Sequence, residues 1–467
     1  MSAGRGGNVI ALVLSQVVVS ASGFVVQIVL ARFLGPESFG LFGFIASVVS
    51  VLAFVADLNL QVLLAREVAR DTPSAGAGLG NGLLTITFTS SLAVALSVAL
   101  VGVLDGRPVA LLAALFAGLA LGTSAARSVV EAVFQGLQNM RPLVVANLVG
   151  RVIYLGATLA LLALGFDVVG VFAASIIGPL LTAVVLIVLF IRRVGPIQLG
   201  PVVAVLPRIR ETVPFLLGGL FTSVYLASDV LVIKAFHGDD EVGMYRAASL
   251  LLLQLGVVAV VINRALYPRV AKTLGSPEEA RIEVAFGMKV LLAVSLPLGV
   301  GGLLVGDALL PFLVGVGYES GIPAFLVLMP LLPVRFLNNL LANALSALDQ
   351  QKERTIGAGV AAGVNVVANL ALVPFMGAFG AAITTVASDA VLLVFQAWRL
   401  SRSIGMIPFF WPTVRLLPAL AALGLVVWLL PDLHVALRVL LGGVAYVVVA
   451  WGTGALTLAD LRRIRRI

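Results

Sequence analysis

The chain has no cysteine among its 467 residues, so disulfides, thiolate nucleophiles and cysteine-ligated metals are excluded. Its only histidines are His237 and His434, which leaves no histidine-based metal cluster. Charge is scarce too, with 11% of residues charged against 61% apolar and a mean hydropathy of +1.14. Soluble domains are not built that way. Long polar stretches are also missing: the longest connections are Asp307 to Gly321, Arg192 to Thr212 and the stretch around Ser276. None is long enough for a separate catalytic domain.

What is present is a succession of apolar runs. A hydrocarbon core about 30 Å thick needs roughly 20 apolar residues per helix, and such runs continue from Val9 nearly to the C-terminus. The first, about 25 residues long, exceeds the core of a cleavable signal peptide and reads as a retained helix. Breaks at glycine, proline and charge clusters predict an all-α polytopic membrane protein of about 14 transmembrane helices. The first six spans are predicted over 9–34, 41–64, 79–104, 109–135, 142–165 and 168–191. Six more follow over 213–236, 243–268, 284–306, 322–348, 355–374 and 378–400, then two over 413–430 and 434–457. At Ser276 the run SPEE reads as a capping box, with Pro277 at the first helical position and Glu279 reaching back.

The net charge of +8 comes from arginines and lysines scattered through short loops. That pattern suits anionic membrane lipids and not nucleic acid. With the N-terminus inside, the inner segments hold Arg5, Arg66, Arg70, Arg141, Arg192, Arg193, Arg208, Arg210, Arg269, Lys272, Arg281, Lys289, Lys352, Arg354, Arg399, Arg402, Arg415 and the RRIRRI tail. Only Arg107 is clearly outside, with Arg32, Lys234, Arg246 and Arg438 near outer helix ends. Retained positive charge marks the cytoplasmic face, so both termini are expected in the cytoplasm of a cell-membrane protein.

Two halves of the chain repeat. LARFLGPESFGLF from Leu30 aligns without a gap, 203 positions later, with IKAFHGDDEVGMY, placing Gly35 on Gly238 and Arg66 on Arg269. FQGLQNMRP likewise matches LSALDQQKE, placing Leu137 on Leu348, Arg141 on Lys352 and, with one gap, Gly170 on Gly380. Both matches join spans of the same direction, predicting parallel six-helix lobes over 1–191 and 213–402. A cytoplasmic linker over 192–212 joins them, and helices over 403–457 and a basic tail over 458–467 complete the chain. Such repeats build alternating access in transporters and serve little purpose in an enzyme.

The segment LARFLGPESFGLFGFIASVVSVLAFVADLNLQVLLAREVAR, with the repeat and the span count, resembles the oligosaccharide flippases of the multidrug/oligosaccharidyl-lipid/polysaccharide superfamily. The resemblance covers essentially the whole chain. It implies two pseudo-symmetric lobes around a central cavity that opens alternately to each side.

Ionisable residues within spans cost roughly 2.5–3.5 kcal/mol each on insertion scales, so each must face a cavity or a partner. Arg127 and Glu131 share a face of span four, and Asn147, Arg151 and Tyr154 share one of span five. One carboxylate cannot neutralise two arginines, so one guanidinium is expected to remain for substrate. Span ten carries Arg335, Asn339 and Asn343 at helical spacing, with Asn338 beside them. Arg335 has no acid in its own span, which favours a water-filled cavity; hydrogen bonding between helices is the plainer alternative for the asparagines. Asn263, Arg264 and Tyr267 lie near the inner end of span eight, where snorkelling competes with a binding role. Asp57 (with Gln61 a turn on), Asp229 and Asp389 are candidates to bind a coupling H+ or Na+, or to pair with those arginines. Gln16, Ser20, Gly23 and Gln27 form a polar stripe on span one. Gly118 with Gly122 and Gly359 with Gly363 suit close helix packing, and GDDE around Asp239 reads as a helix start.

The reading that fits is a flippase carrying a polyprenyl-diphosphate-linked oligosaccharide from the inner to the outer leaflet, with no cofactor. Its expected partners are that substrate, anionic lipids and glycan assembly proteins. Arginine suits the diphosphate because its planar fork donates two parallel charge-assisted hydrogen bonds. A cation-coupled antiporter of the multidrug and toxin extrusion type is the main rival, though intramembrane charge here tilts slightly basic. A lipid-linked peptidoglycan-precursor flippase ranks third, because no charge lies between Val9 and Ala31 of span one. A membrane glycosyltransferase would need an outer loop or acidic and histidine clusters that the sequence does not contain.

Overall fold

The computed structural model describes the backbone of residues 3–200, 205–407, 410–457, 460 and 463, and the side chains of 23–200, 219–264, 266–407, 413–457, 460 and 463. The order is α1 (Ala3–Asp57), α2 (Leu60–Arg70), α3 (Ala75–Leu104), α4 (Pro108–Gly136), α5 (Arg141–Ala163), α6 (Val168–Arg193) and α7 (Val205–His237). It continues with α8 (Asp239–Lys272), α9 (Pro277–Val314), α10 (Ile322–Leu328), α11 (Leu331–Ala347), α12 (Gln351–Ile404), α13 (Phe410–Leu429) and α14 (Val435–Gly452).

All fourteen predicted spans are recovered among the described residues, although the helices do not correspond to them one for one. Spans one and two run together as α1 and are separated only at Gly35 (φ 72°), while eleven and twelve run together as α12 and part at Gly377 (φ 53°). Span ten is broken instead, with α10 and α11 meeting at a 47° bend. Large apolar side chains such as Val103, Val152, Val394 and Trp428 stay exposed, as a lipid-facing surface requires.

The sequence repeat has a backbone counterpart. Gly35 (φ 72°) and Gly238 (φ 85°) occupy matched positions in left-handed conformations that a side chain would resist. Gln138 (φ 54°) and Asp349 (φ 58°) are matched as well. Each closes the same helix-ending motif: the Asn139 amide donates to the Phe134 carbonyl at 3.0 Å, and the Gln350 amide to the Leu345 carbonyl at 2.8 Å.

Two compact units emerge, and they are drawn differently from the lobes expected from the repeat. One comprises Met1–Pro36 with Gly243–Ile467, the other Glu37–Val242. In the first, the end of span one is held by Tyr318, whose hydroxyl donates to the Ala31 carbonyl at 2.7 Å, and by Arg32, whose Nε donates to the Leu313 carbonyl at 2.9 Å. In the second, α7 lies so close to α1 that a Cβ on Gly219 would stand 2.0 Å from the Phe54 ring.

Several local expectations are corrected. Pro277 does begin α9, but Ser276 makes no side-chain cap bond, so the capping box is not formed. Gly118 packs against Val94 and Ser97 and Gly122 against Ser90, as expected, whereas Gly363 faces open space. Arg463 of the basic tail donates to Glu283 at 2.7 Å and stacks over Phe286, so an internal carboxylate takes the place expected for a lipid headgroup there. The other tail arginines, and the side chains of Arg5, Gln16 and Ser20, lie outside the described residues.

Candidate functional site

In the Glu37–Val242 unit, span two breaks where sequence reasoning had placed a continuous helix. Leu58 (φ 49°) and Asn59 (φ 56°) turn left-handed directly after Asp57, and α2 starts at Leu60. Breaking a membrane helix frees backbone groups that hydrocarbon cannot satisfy; here the Ala56 carbonyl accepts from Thr89 Oγ1 at 2.8 Å. Asp57 lies beside that break, with Ser128 Oγ 3.5 Å from its carboxylate and 3.1 Å from Gln61 Oε1. Discontinuous helices with a nearby carboxylate are how transporters commonly build ion and substrate sites. The run Asp-Leu-Asn was the available sequence signal, since Asn and Asp tolerate left-handed turns better than other side chains.

The arginines of this unit are less free than the sequence suggested. Arg127 Nη1 donates to Glu131 Oε1 at 2.5 Å and to Asn147 Oδ1 at 3.0 Å, tying α4 to α5. Arg151 has a partner as well. Asp229, buried on α7, also has a partner.

The same unit holds a charge cluster where the α3–α4 turn meets the end of α7. Arg107 reaches Asp105 through Nε at 2.6 Å and Nη2 at 2.7 Å, and also pairs with Asp239. Lys234 pairs with Asp105 and, at 2.7 Å, with Asp239, and its ammonium sits 5.2 Å from the centre of the Phe44 ring. Hydrogen bonds from Arg107, aided by Lys234, outweigh burial and hold the Asp105 carboxyl well below the usual carboxylate range. Sequence reasoning had treated Arg107, Lys234 and the GDDE turn as separate features, because only folding makes them neighbours.

In the other unit, the polar stripe of α11 divides among three partners. Arg335 Nε donates to Asp389 Oδ2 at 2.8 Å, and Asn338 Nδ2 donates to the Asp389 carbonyl at 3.0 Å and to its Oδ1 at 3.2 Å. Asn339 accepts from Asn263 of α8 at 2.7 Å, while Asn343 turns back onto the Asn339 carbonyl at 2.7 Å. The acid that span ten lacked comes from span twelve, so Arg335 is corrected from an unpaired cavity arginine to half of a buried ion pair. A second network escaped sequence reasoning: Asn365, Asn369, Thr384 and Ser388 link the two legs of α12 through bonds of 2.6–3.3 Å. Its signal was the i, i+4 pair of asparagines in an apolar span.

Arg264 stands apart from these networks. It is exposed on α8, one residue from the Asn263–Asn339 bond, and makes no ion pair among the described residues. Arg246, read only as a residue at the outer helix end, is half-buried near the other end of α8 and likewise has no ion pair there. The two are about five turns apart on one face of the helix, or about 27 Å along its axis. Gln27, in the same unit, keeps a buried Oε1 without a hydrogen-bond partner.

Comparison with known proteins yields both family and fold. The model of a family described as "Polysaccharide biosynthesis protein" matches residues 6–274. A Shigella dysenteriae protein named "Putative O-antigen transporter" is 23% identical over 267 residues, 56% of this chain and 66% of that protein. The curated relatives are covered over 66%, 45% and 39% of their own lengths. Among solved structures, the lipid II flippase MurJ in an inward closed conformation superposes with a TM-score of 0.73 at 14% identity, covering 94% of this chain and 98% of that one. An inward-facing multidrug resistance MATE transporter gives 0.65 at 17% identity, covering 81% and 94%. At such identities the two structures speak for the fold alone.

Proposed function

The chain belongs to the polysaccharide biosynthesis protein family, and from that premise we propose that it carries a polyprenyl-diphosphate-linked oligosaccharide from the cytoplasmic to the outer leaflet by alternating access, without enzymatic turnover. An anionic diphosphate and a polar glycan cannot cross hydrocarbon unaided, whereas the polyprenyl tail can remain in it. The observation that carries the reading is the arginine pair of α8. Arg246 and Arg264 share one helix face about 27 Å apart, close to the hydrocarbon thickness of about 30 Å. Neither is neutralised by a carboxylate among the described residues, so each can attract a diphosphate at one end of the crossing. Relatives named as an O-antigen transporter and a flippase support the same substrate class.

The direct test reconstitutes the full chain in vesicles with a fluorescent polyprenyl-diphosphate sugar and follows its loss from the outside-accessible pool. Transfer at the rate of empty vesicles would overturn the reading; uptake of organic cations instead would favour the antiporter. If an H+ or Na+ gradient drives transfer, Asp57 beside the broken helix is the proposed coupling group. Asp57→Asn should then make transfer insensitive to that gradient, and full retention of gradient dependence removes Asp57 from the role.

The cell membrane is the proposed location, with both termini cytoplasmic, as the distribution of arginine and lysine supports. Because the chain has no cysteine, Ser276→Cys and Gly315→Cys introduce unique thiols. An impermeant maleimide should label Gly315→Cys in intact cells and reach Ser276→Cys only after lysis. Labelling of Ser276→Cys in intact cells reverses the orientation.

A further inference from the structure

A groove of about 520 Å³ lies between α5 and α6, and none of its lining residues is assigned above to transport. Arg141, Arg193 and Asn139 line one end of it, and apolar side chains including Val145, Val149 and Leu189 line its length. We propose that this groove is a binding site for an anionic glycerophospholipid, with the lipid phosphate between Arg141 and Arg193 and the start of an acyl chain along the valines.

The groove follows from how the two helices cross. α5 and α6 meet tightly at Gly150 and Gly178: a Cβ on Gly150 would stand 2.9 Å from the Gly178 carbonyl oxygen, and one on Gly178 2.7 Å from that of Gly150. From that contact the pocket residues extend only toward the α5 start and the α6 end. Thr182, the polar residue nearest the crossing, spends its hydroxyl on the Ala146 and Gly178 carbonyls at 3.2 and 2.9 Å. The inner part of the groove therefore presents an apolar surface, and Val145 is left 63% exposed.

Charge selects the occupant. Arg141 and Arg193 share the wall, no carboxylate lines it, and neither arginine has an ion pair among the described residues. Like charges brought together near a low-dielectric slab repel more strongly than in water, and one phosphate held by two guanidinium forks relieves that repulsion. A zwitterionic headgroup would bring its own cation into the same place, so a headgroup with net negative charge is preferred. The volume lies within the range of about 300–1,000 Å³ typical of small-molecule sites, enough for a phosphate, glycerol and the first methylenes.

The proposal does not depend on transport, and its readout is lipid retention. The full chain is placed in nanodiscs of mixed phosphatidylglycerol and phosphatidylcholine, released, and weighed by native mass spectrometry. Wild type should retain phosphatidylglycerol in preference. Arg141→Ala and Arg193→Ala should each reduce that preference about fivefold, the weight of roughly one basic residue at an anionic surface. Val145→Trp, which fills the groove without removing charge, should also lower retention, whereas Arg354→Ala, outside the groove, should not. Equal retention of phosphatidylcholine, or retention unchanged in both arginine variants and in Val145→Trp, overturns the proposal. So does displacement of phosphatidylglycerol from wild type by a short polyprenyl diphosphate at much lower concentration, which would make the groove a substrate site.

Discussion

Asp389→Ala should destabilise the folded protein by about 3–5 kcal/mol, the usual effect of stranding one member of a buried ion pair. The Asp389 side chain is 5% exposed and that of Arg335 18%, so water replaces the lost carboxylate only in part. Two further bonds disappear or weaken with it, because Asn338 donates both to the Asp389 side chain and to its backbone. The double variant Arg335→Met with Asp389→Leu removes both charges and should recover most of the loss, since apolar replacements of buried pairs are commonly neutral. Thermal unfolding of the detergent-solubilised chain, followed by tryptophan fluorescence, measures both effects. An unchanged midpoint for Asp389→Ala would show that the pair carries no structural load. The comparison also decides how Arg335→Ala should be read, because loss of transport in that variant alone cannot separate substrate binding from a stranded Asp389. A double variant that folds but fails to transport assigns the Arg335–Asp389 pair a role beyond the scaffold.

Arg264→Ala should lower transfer of the lipid-linked sugar by about tenfold or more while leaving the unfolding midpoint unchanged. The side chain is exposed and has no ion pair among the described residues, so its removal strands no partner. One or two charge-assisted hydrogen bonds to a diphosphate are worth roughly 1.5–3 kcal/mol each, or about tenfold to a hundredfold. Arg264→Lys should retain part of the activity, because it keeps the charge and loses the planar fork. Wild-type transfer by Arg264→Ala would leave snorkelling as the account of this residue and remove Arg264 from the mechanism.

The helical membrane class was legible in the sequence because hydrocarbon tolerates one kind of element at one minimum length, and apolar runs of that length can be counted. The repeat was legible too. Gln138 and Asp349 sit in the same left-handed turn because both halves retain the residues that end a helix there. The break after Asp57 was not, since its cause is partly remote: Thr89 on another helix satisfies the Ala56 carbonyl. The local run Asp-Leu-Asn permits a left-handed turn, but only the remote hydroxyl satisfies the carbonyl that the break frees.

Charge pairing is where the two sources part. Composition and spacing determined that Arg127, Arg151, Arg264, Arg335, Asp57, Asp229 and Asp389 lie inside spans and must each find water or a partner. Which of these outcomes each one meets is a matter of helices distant in sequence coming within about 3 Å, the range over which a hydrogen bond is made or lost. Tertiary structure gave Asp389 to Arg335 across 54 positions, gathered Asp105, Arg107, Lys234 and Asp239 into one cluster, and gave Arg264 no counterion among the described residues. Hydropathy is a sum over neighbours in the chain and survives without a fold, whereas ion pairing depends on a distance that exists only once the chain has folded.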